Sequence, residues 1–273
     1  MPDLDFEALG DRCKSFGDAE TSRKAMLGLP LLVRLDGRAF HSYCRGLRRP
    51  YDERLSSCMH ATTRALIEEF HPLVGYTQSD EITLAWHLPS DSRSQYPFDG
   101  KLQKLCSVLA GFASATFARE ALTSLPEKQE QVPHFDARAW QVPTLAEALE
   151  VFAWREDDAV KNSVQMAARS VASHKDLDGK GRKDQLDILH SAGIKWNDYP
   201  AFFKRGIYFR RVTRERTLTK EERERIPERF RPPIGEVFLR SSVEALEIGP
   251  IRREPEAMAI LFGATPEIGE NLQ

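Results

Sequence analysis

An α+β fold of the ferredoxin-like kind, an antiparallel sheet with helices on one face, is what the first half of this 273-residue sequence predicts. Three observations carry the prediction. Short apolar runs of strand length alternate with segments of helical period; they come in the order strand, helix, strand, strand, helix, strand; and turn-forming residues separate them. Many activities use this fold, so it names none.

The first strand is LLVRL, residues 31–35, an apolar run that leads straight into Asp36. A helix follows Pro50, with Asp52 as its N-cap and Leu55, Met59, Leu66 and Phe70 near one face. VGYTQSDEITLAWHL reads as two strands around a polar turn, and period-two alternation places Ile82, Leu84 and Trp86 on one face of the second. FDGKLQKLCSVLAGFASATF is the second helix, capped by Asp99, with Leu102, Leu105, Leu109, Phe112 and Thr116 on its buried side. FDARAWQVP is the fourth strand, stopped by Pro143. Residues 1–145 thus make a core and residues 146–273 a mainly helical extension packed on it. In that extension DLDGKGRKDQ is a Gly/Lys-rich polar loop or helix entry, RIPERFRPPIGE is irregular, and a strand and a tail close the chain.

Composition is that of an ordinary globular protein, 41% hydrophobic and 29% charged. No apolar run reads as long enough to cross a bilayer, and the start, MPDLDFEALGD, is acidic rather than a basic-plus-apolar signal. Cys13, Cys44, Cys58 and Cys106 form no CxxC pair, so a cytoplasmic chain with reduced thiols and no structural zinc is expected. Net charge is −2 but uneven: Lys204 to Arg231 holds eleven Lys/Arg and five Asp/Glu, a local +6, leaving −8 elsewhere. That segment reads either as a polyanion-binding face or, since KEERER mixes both signs at helical spacing, as a self-paired helix.

The chemistry-bearing residues follow from the strand order. The first and third strands are expected as neighbours, both antiparallel to the second. Asp36, ending the first, should then meet Asp80, in the turn that starts the third, across 80 − 36 = 44 positions. Two carboxylates about 4 Å apart repel by roughly 4 kcal/mol at an effective dielectric near 20. A shared proton or a divalent cation must offset that, and oxygen donors without His or Cys favour Mg²⁺. Two such ions can clamp an in-line phosphoryl displacement. Gly37 would let the backbone approach metal or phosphate, and the amides of Arg38 to Phe40 could form an anion-binding concavity. Singly, Asp36-Gly37 reads better as a plain turn and Asp80-Glu81 as a solvated hairpin; jointly, on this strand order, they favour a metal site. Lys101 and Lys104, in the first turns of the second helix, sit against the helix dipole, a conflict that a bound phosphate would remove. Lys183 is a further basic candidate, and His41 serves either as proton carrier or as a packed turn cap.

The motifs RLDGRAFH, YTQSDEITLAW, FDARAW, WREDDAVKNS and GIKWNDYPAFFKRG together resemble the tRNA(His) guanylyltransferase family, the 3′-to-5′ RNA polymerases, and in particular its bacterial-type branch. The similarity runs from about Leu9 to about Gly263. It implies a palm-type catalytic core with two Mg²⁺ ions, bridged by Asp36 and Asp80, with the Gly37 carbonyl on one of them. It also implies that Asp36, Gly37, Arg38, Ala39, Phe40, His41 and Ser79, with Asp80, line a nucleoside triphosphate, and that Lys101, Lys104 and Lys183 contact its phosphates. Arg49 stands where many members have lysine. The implied partners are tRNA and nucleoside triphosphates, with ATP or GTP activating the RNA 5′ end, in a homotetramer and without a membrane. Many eukaryotic members carry His-Ile-Asn-Asn where this chain reads Val160, Lys161, Asn162, Ser163, which favours templated repair of 5′-truncated tRNA over strict guanylylation of tRNA(His). The basic segment, through Arg210, Arg214 and Arg216, becomes the expected RNA contact. The rival readings are a palm-type nucleotide cyclase or dinucleotide synthase, and a non-catalytic RNA-binding module.

Overall fold

The computed structural model describes residues 6–263. Its helices are α1 (Phe6–Thr21), α2 (Phe40–Tyr43), α3 (Glu53–Phe70), α4 (Leu102–Ser124), α5 (Leu145–Arg169), α6 (His174–Leu177), α7 (Arg182–Ser191), α8 (Ala201–Arg205), α9 (Lys220–Arg225) and α10 (Ala257–Phe262). Its strands are β1 (Leu31–Gly37), β2 (Val74–Gln78), β3 (Glu81–Trp86), β4 (Phe135–Gln141), β5 (Ile207–Thr217) and β6 (Val237–Leu246).

All six strands join one sheet in the order β4-β1-β3-β2-β5-β6. The first four reproduce the expected ferredoxin-like arrangement, and every neighbouring pair is antiparallel. Because β3 opposes both β1 and β2, the first and second strands run in the same direction, where the sequence reading had them opposed. The extension adds β5 and β6 to the sheet. Only Ile207 to Phe209 of β5 pair with β2; the rest of β5 pairs with β6 alone, as a two-stranded ribbon.

Alternation along the strands divides the core in two. Leu31, Val33 and Leu35 of β1, with Ile82, Leu84 and Trp86 of β3, meet Met59, Leu66 and Phe70 of α3 and Leu105, Leu109 and Phe117 of α4. The opposite parity, Leu32, Val74, Tyr76 and Ala85, meets Ala148 and Phe152 of α5 together with α10. Helices α3 and α4 thus share one face as predicted, and the extension's long helix covers the other.

Local signals set the ends of α3. Asp52 caps it by accepting the Arg54 amide at 3.0 Å, and His71, left-handed at φ 52°, closes it by donating to the Ile67 carbonyl at 3.1 Å. The expected Asp99 cap of α4 is not made: that helix starts from Lys101, while Asp99, at φ 56°, pairs with Lys24. The 23-residue α4 is long and apolar enough to cross a membrane, contrary to the sequence reading. Leu105, Leu109, Ala113, Phe117 and Ala121 spend its apolar side on the core instead.

Candidate active site

Strand β1 delivers Asp36 and the β2–β3 turn delivers Asp80. The backbone joins them directly: the Gly37 amide donates to the Asp80 carbonyl at 3.0 Å, and Asp36 stands opposite Glu81 in the ladder. The Ser79 hydroxyl donates to Asp80 Oδ1 at 2.9 Å, from a left-handed backbone of φ 48°. Burial pushes the Asp80 carboxyl above its ordinary range; the Ser79 bond opposes this, and the Asp36 carboxylate nearby adds to it. The acid pair expected from strand order therefore exists as a juxtaposition, with a like-charge interaction that Ser79 and the nearby His41 offset in part. An all-oxygen donor set of this kind suits a hard divalent cation.

The residues after Asp36 fill different places than expected. A Cβ on Gly37 would lie 2.4 Å from the Phe40 ring, so packing under Phe40, rather than approach to a metal, requires glycine there. Phe40 is buried in an aromatic cluster, its ring 5.1 Å from that of Tyr43, 5.3 Å from Phe117 and 5.1 Å from Phe135. Only its backbone is left for a nucleotide. The Arg38 amide is taken by the His134 carbonyl at 2.9 Å, which shortens the proposed amide concavity by one donor. Ala39 caps α2 in the left-handed region, at φ 57° and ψ 29°. His41 is exposed, with Nε2 3.0 Å from the Ser42 hydroxyl, and it faces the cavity described next.

A cavity of about 410 Å³ opens beside the acids, lined by His41 and Ser79 on one side and by Arg45, Arg48, Arg49 and Arg169 on others. Among these arginines only Arg49 was flagged by sequence. The cluster RGLRRP, which follows DGRAFH after Ser42, Tyr43 and Cys44, is the signal that could have found Arg45 and Arg48. Arg169, at the far end of α5, had no local signal. Cys44 also lines the cavity; burial, with the charge of Asp80 behind it, pushes its thiol up to about 12, so it stays protonated at neutral pH.

Lys101 and Lys104 do not join the acids within one chain. Lys101 bridges to Lys24, the adjacent Gly100 carbonyl accepts the Ala25 amide at 2.9 Å, and the Lys104 ammonium lies 5.3 Å from the Phe98 ring centre. This is the end of the sheet where β1 begins. It is the other end of α4, at Phe117, that reaches Phe40, roughly 20 Å further on at 1.5 Å per residue. Lys183 is exposed in the first turn of α7.

The basic segment is largely satisfied by its own chain. Arg210 is half-buried and donates to the carbonyls of Ile260, at 2.8 Å, and Gly263, holding α10 to the ribbon. Arg214 meets Glu244 at 2.7 Å, and Arg216 meets Glu222. Tyr208 and Phe209 are buried, so they pack rather than stack on bases. Of the two readings of this segment, self-pairing is the one these contacts support.

Behind the acids lies an ion pair that sequence reasoning missed. Arg155 on α5 donates to both oxygens of Glu81, at 2.7 and 2.6 Å, and also to Asp158 at 3.1 Å. Further along α5, the Ser163 hydroxyl accepts the Trp196 indole N–H at 3.2 Å and donates to the Lys204 carbonyl at 3.1 Å. The two motifs WREDDAVKNS and GIKWNDYPAFFKRG are thereby stitched together.

The family model for tRNAHis guanylyltransferase matches residues 11–143. A tRNA(His) guanylyltransferase of Debaryomyces hansenii is 28% identical over 210 residues, covering 70% of this chain and 76% of its own. One of Neurospora crassa is 27% identical over 233 residues, covering 78% of each. Among solved structures, a bacterial tRNA(His) guanylyltransferase-like protein in complex with ATP superposes with a TM-score of 0.77 at 29% identity, over 94% of this chain and all, 100%, of that one. The same kind of protein in complex with GTP gives a TM-score of 0.71 at 28% identity, over 93% of this chain and 99% of that one. The sheet order, the acid pair and these likenesses agree: residues 11–143 match the tRNAHis guanylyltransferase family model, and the chain is similar to that family's nucleotidyltransferases over most of its length.

Proposed function

We propose that this protein adds nucleotides to the 5′ end of tRNA in the 3′-to-5′ direction, acting more in templated repair of truncated 5′ ends than in strict guanylylation of tRNA(His). The observation that carries this reading is the meeting of Asp36 and Asp80 beside an arginine-lined cavity. In the first step the 5′-monophosphate of the RNA attacks the α-phosphate of ATP or GTP and pyrophosphate leaves. In the second, the 3′-hydroxyl of an incoming nucleoside triphosphate attacks the activated 5′ phosphate and the mononucleotide leaves. Where the terminal pyrophosphate must go, hydrolysis removes it.

Asp36 and Asp80, with the Gly37 carbonyl, would hold two Mg²⁺ ions. When bound, such ions offset charge on the transferring phosphate and polarise it. The chain's own residues position and neutralise. Ser79 fixes the Asp80 carboxylate, the Gly37 amide fixes the turn that carries it, and Arg45, Arg48 and Arg49 balance phosphate charge in the cavity. His41, on the cavity wall, is placed to hold the proton of an attacking hydroxyl. The ATP and GTP complexes of the bacterial relatives support nucleotide binding by this fold. Val160, half-buried on α5, cannot hydrogen-bond as a histidine would, which supports the repair preference. We further propose a homotetramer working in the cytoplasm.

The test is incubation with Mg²⁺, α-labelled ATP and a 5′-monophosphorylated tRNA lacking its first nucleotide. Label transferred to RNA is expected. Label in a free cyclic product, or RNA binding without any product, would refute the reading.

A further inference from the structure

We propose that the RNA strand leaves the acid pair along a cationic track formed by Arg45, Arg48, Arg49, Arg169 and Lys180, and not along the β5–β6 ribbon. The inference rests on the reading that RNA is the substrate, and it assigns that RNA a path.

Two cavities carry the argument. The one beside the acids holds Arg45, Arg48, Arg49 and Arg169. A second, of about 260 Å³, lies between the end of α5 and the polar loop before α7, with Gln165, His174, Lys180 and Gln185 in its wall. Arg169 lines both, so the two are contiguous at its side chain. Among the described residues, none of the five cations has a carboxylate within ion-pair distance. Of the two carboxylates lining these cavities, Asp52 is taken by Arg54 at 2.8 Å, which leaves Asp178 against all five. Convergent cations without counter-charges repel one another, and a polyanion relieves the repulsion while releasing its own counterions. On the ribbon the opposite holds: Arg214 and Arg216 already have Glu244 and Glu222, and RNA phosphates would have to displace them. The polar, amide-bearing wall of the second cavity suits phosphate and ribose rather than a base.

The test uses a fluorescein-labelled, 5′-monophosphorylated tRNA transcript, with binding read by anisotropy across a salt series on the full chain. Arg169→Glu/Lys180→Glu is expected to weaken binding about tenfold and to lower the slope of log K against log salt by about 1–2. The neutral pair Arg169→Gln/Lys180→Gln should move both readouts the same way by less, and Arg214→Glu should stay within about twofold of wild type. Unchanged affinity and slope in the first pair overturns the proposal. So does a loss of ATP affinity with RNA affinity intact, which would make the track a triphosphate site. Wild-type protein that binds the transcript through these residues but transfers no label leaves the track standing and sinks the transferase reading instead.

Discussion

Arg155 grips Glu81 with two parallel hydrogen bonds, Nε to Oε1 at 2.7 Å and Nη2 to Oε2 at 2.6 Å, both side chains less than a tenth exposed at 8% and 7%. Glu81 follows Asp80 in the chain and faces Asp36 across the ladder, so this grip anchors the strand end that presents both acids. Burial raises the Glu81 carboxyl; Arg155, and more weakly Arg34 at 4.0 Å, oppose the rise. Removing one partner strands the other charge in the interior. Arg155→Ala is expected to cost about 3–5 kcal/mol, read as a drop in urea midpoint. Arg155→Lys, which keeps the charge but loses the fork, should recover only part of that loss.

Metal binding is testable without any turnover. The Asp36–Asp80 repulsion is present in metal-free protein, so added Mg²⁺ should raise the thermal midpoint. At about 100 times its Kd the gain is roughly 2.7 kcal/mol. Asp36→Asn and Asp80→Asn should each remove the Mg²⁺-dependent shift, abolish label transfer, and leave the metal-free midpoint equal or higher. A wild-type shift retained in either variant argues against the acids as ligands.

Asp52 makes acid stability measurable at a single position. The side-chain hydrogen bond from Arg54 lowers its carboxyl from 3.8 to about 2, with burial opposing. A carboxyl depressed in the folded state stabilises at pH values above its unfolded value and loses that contribution as pH falls through the folded one. Between about pH 4 and 2, therefore, roughly 1–2 kcal/mol should disappear from wild type, given the partial screening of Arg54 by solvent. Asp52→Asn should flatten that limb in denaturant titrations run at each pH.

The turn after β1 gives two substitutions of opposite sign. Ala39 sits at φ 57°, where a side chain costs about 1 kcal/mol, so Ala39→Gly should stabilise by up to that amount. Gly37→Ala places a methyl 2.4 Å from the Phe40 ring and should destabilise by about 1–3 kcal/mol. Because Phe40 precedes His41, it should also lower the rate of transfer. Thermal melts on both variants check the pair of signs.

How far the sequence could be read depended on the range of the interaction. The Asp52 cap of α3 was legible because donor and acceptor lie two residues apart. The meeting of Asp36 and Asp80 was legible because strand order alone forces it, whatever the side chains do. Partner choice across the fold was not. Nothing near Glu81 in the chain announces Arg155, 74 positions away, and nothing near Arg210 announces the Ile260 carbonyl, 50 positions away. For the same reason the basic segment suggested RNA, while its arginines had carboxylates waiting on a neighbouring strand and helix. Lys101 and Lys104 stand away from the acids of their own chain because helix direction, not helix identity, decides which end of α4 meets the turn after β1.

One rod, α5, carries both the clamp on the acids and the far gatepost of the track. Arg155 and Arg169 are separated by 14 positions on a helix, about 21 Å at 1.5 Å per residue. The helix is thus a ruler between the anchor behind the acids and a point of grip on the proposed polynucleotide path. Its length would meter how much of an acceptor stem is held while the 5′ end is worked upon, and adding or deleting a turn would re-space the two without touching either.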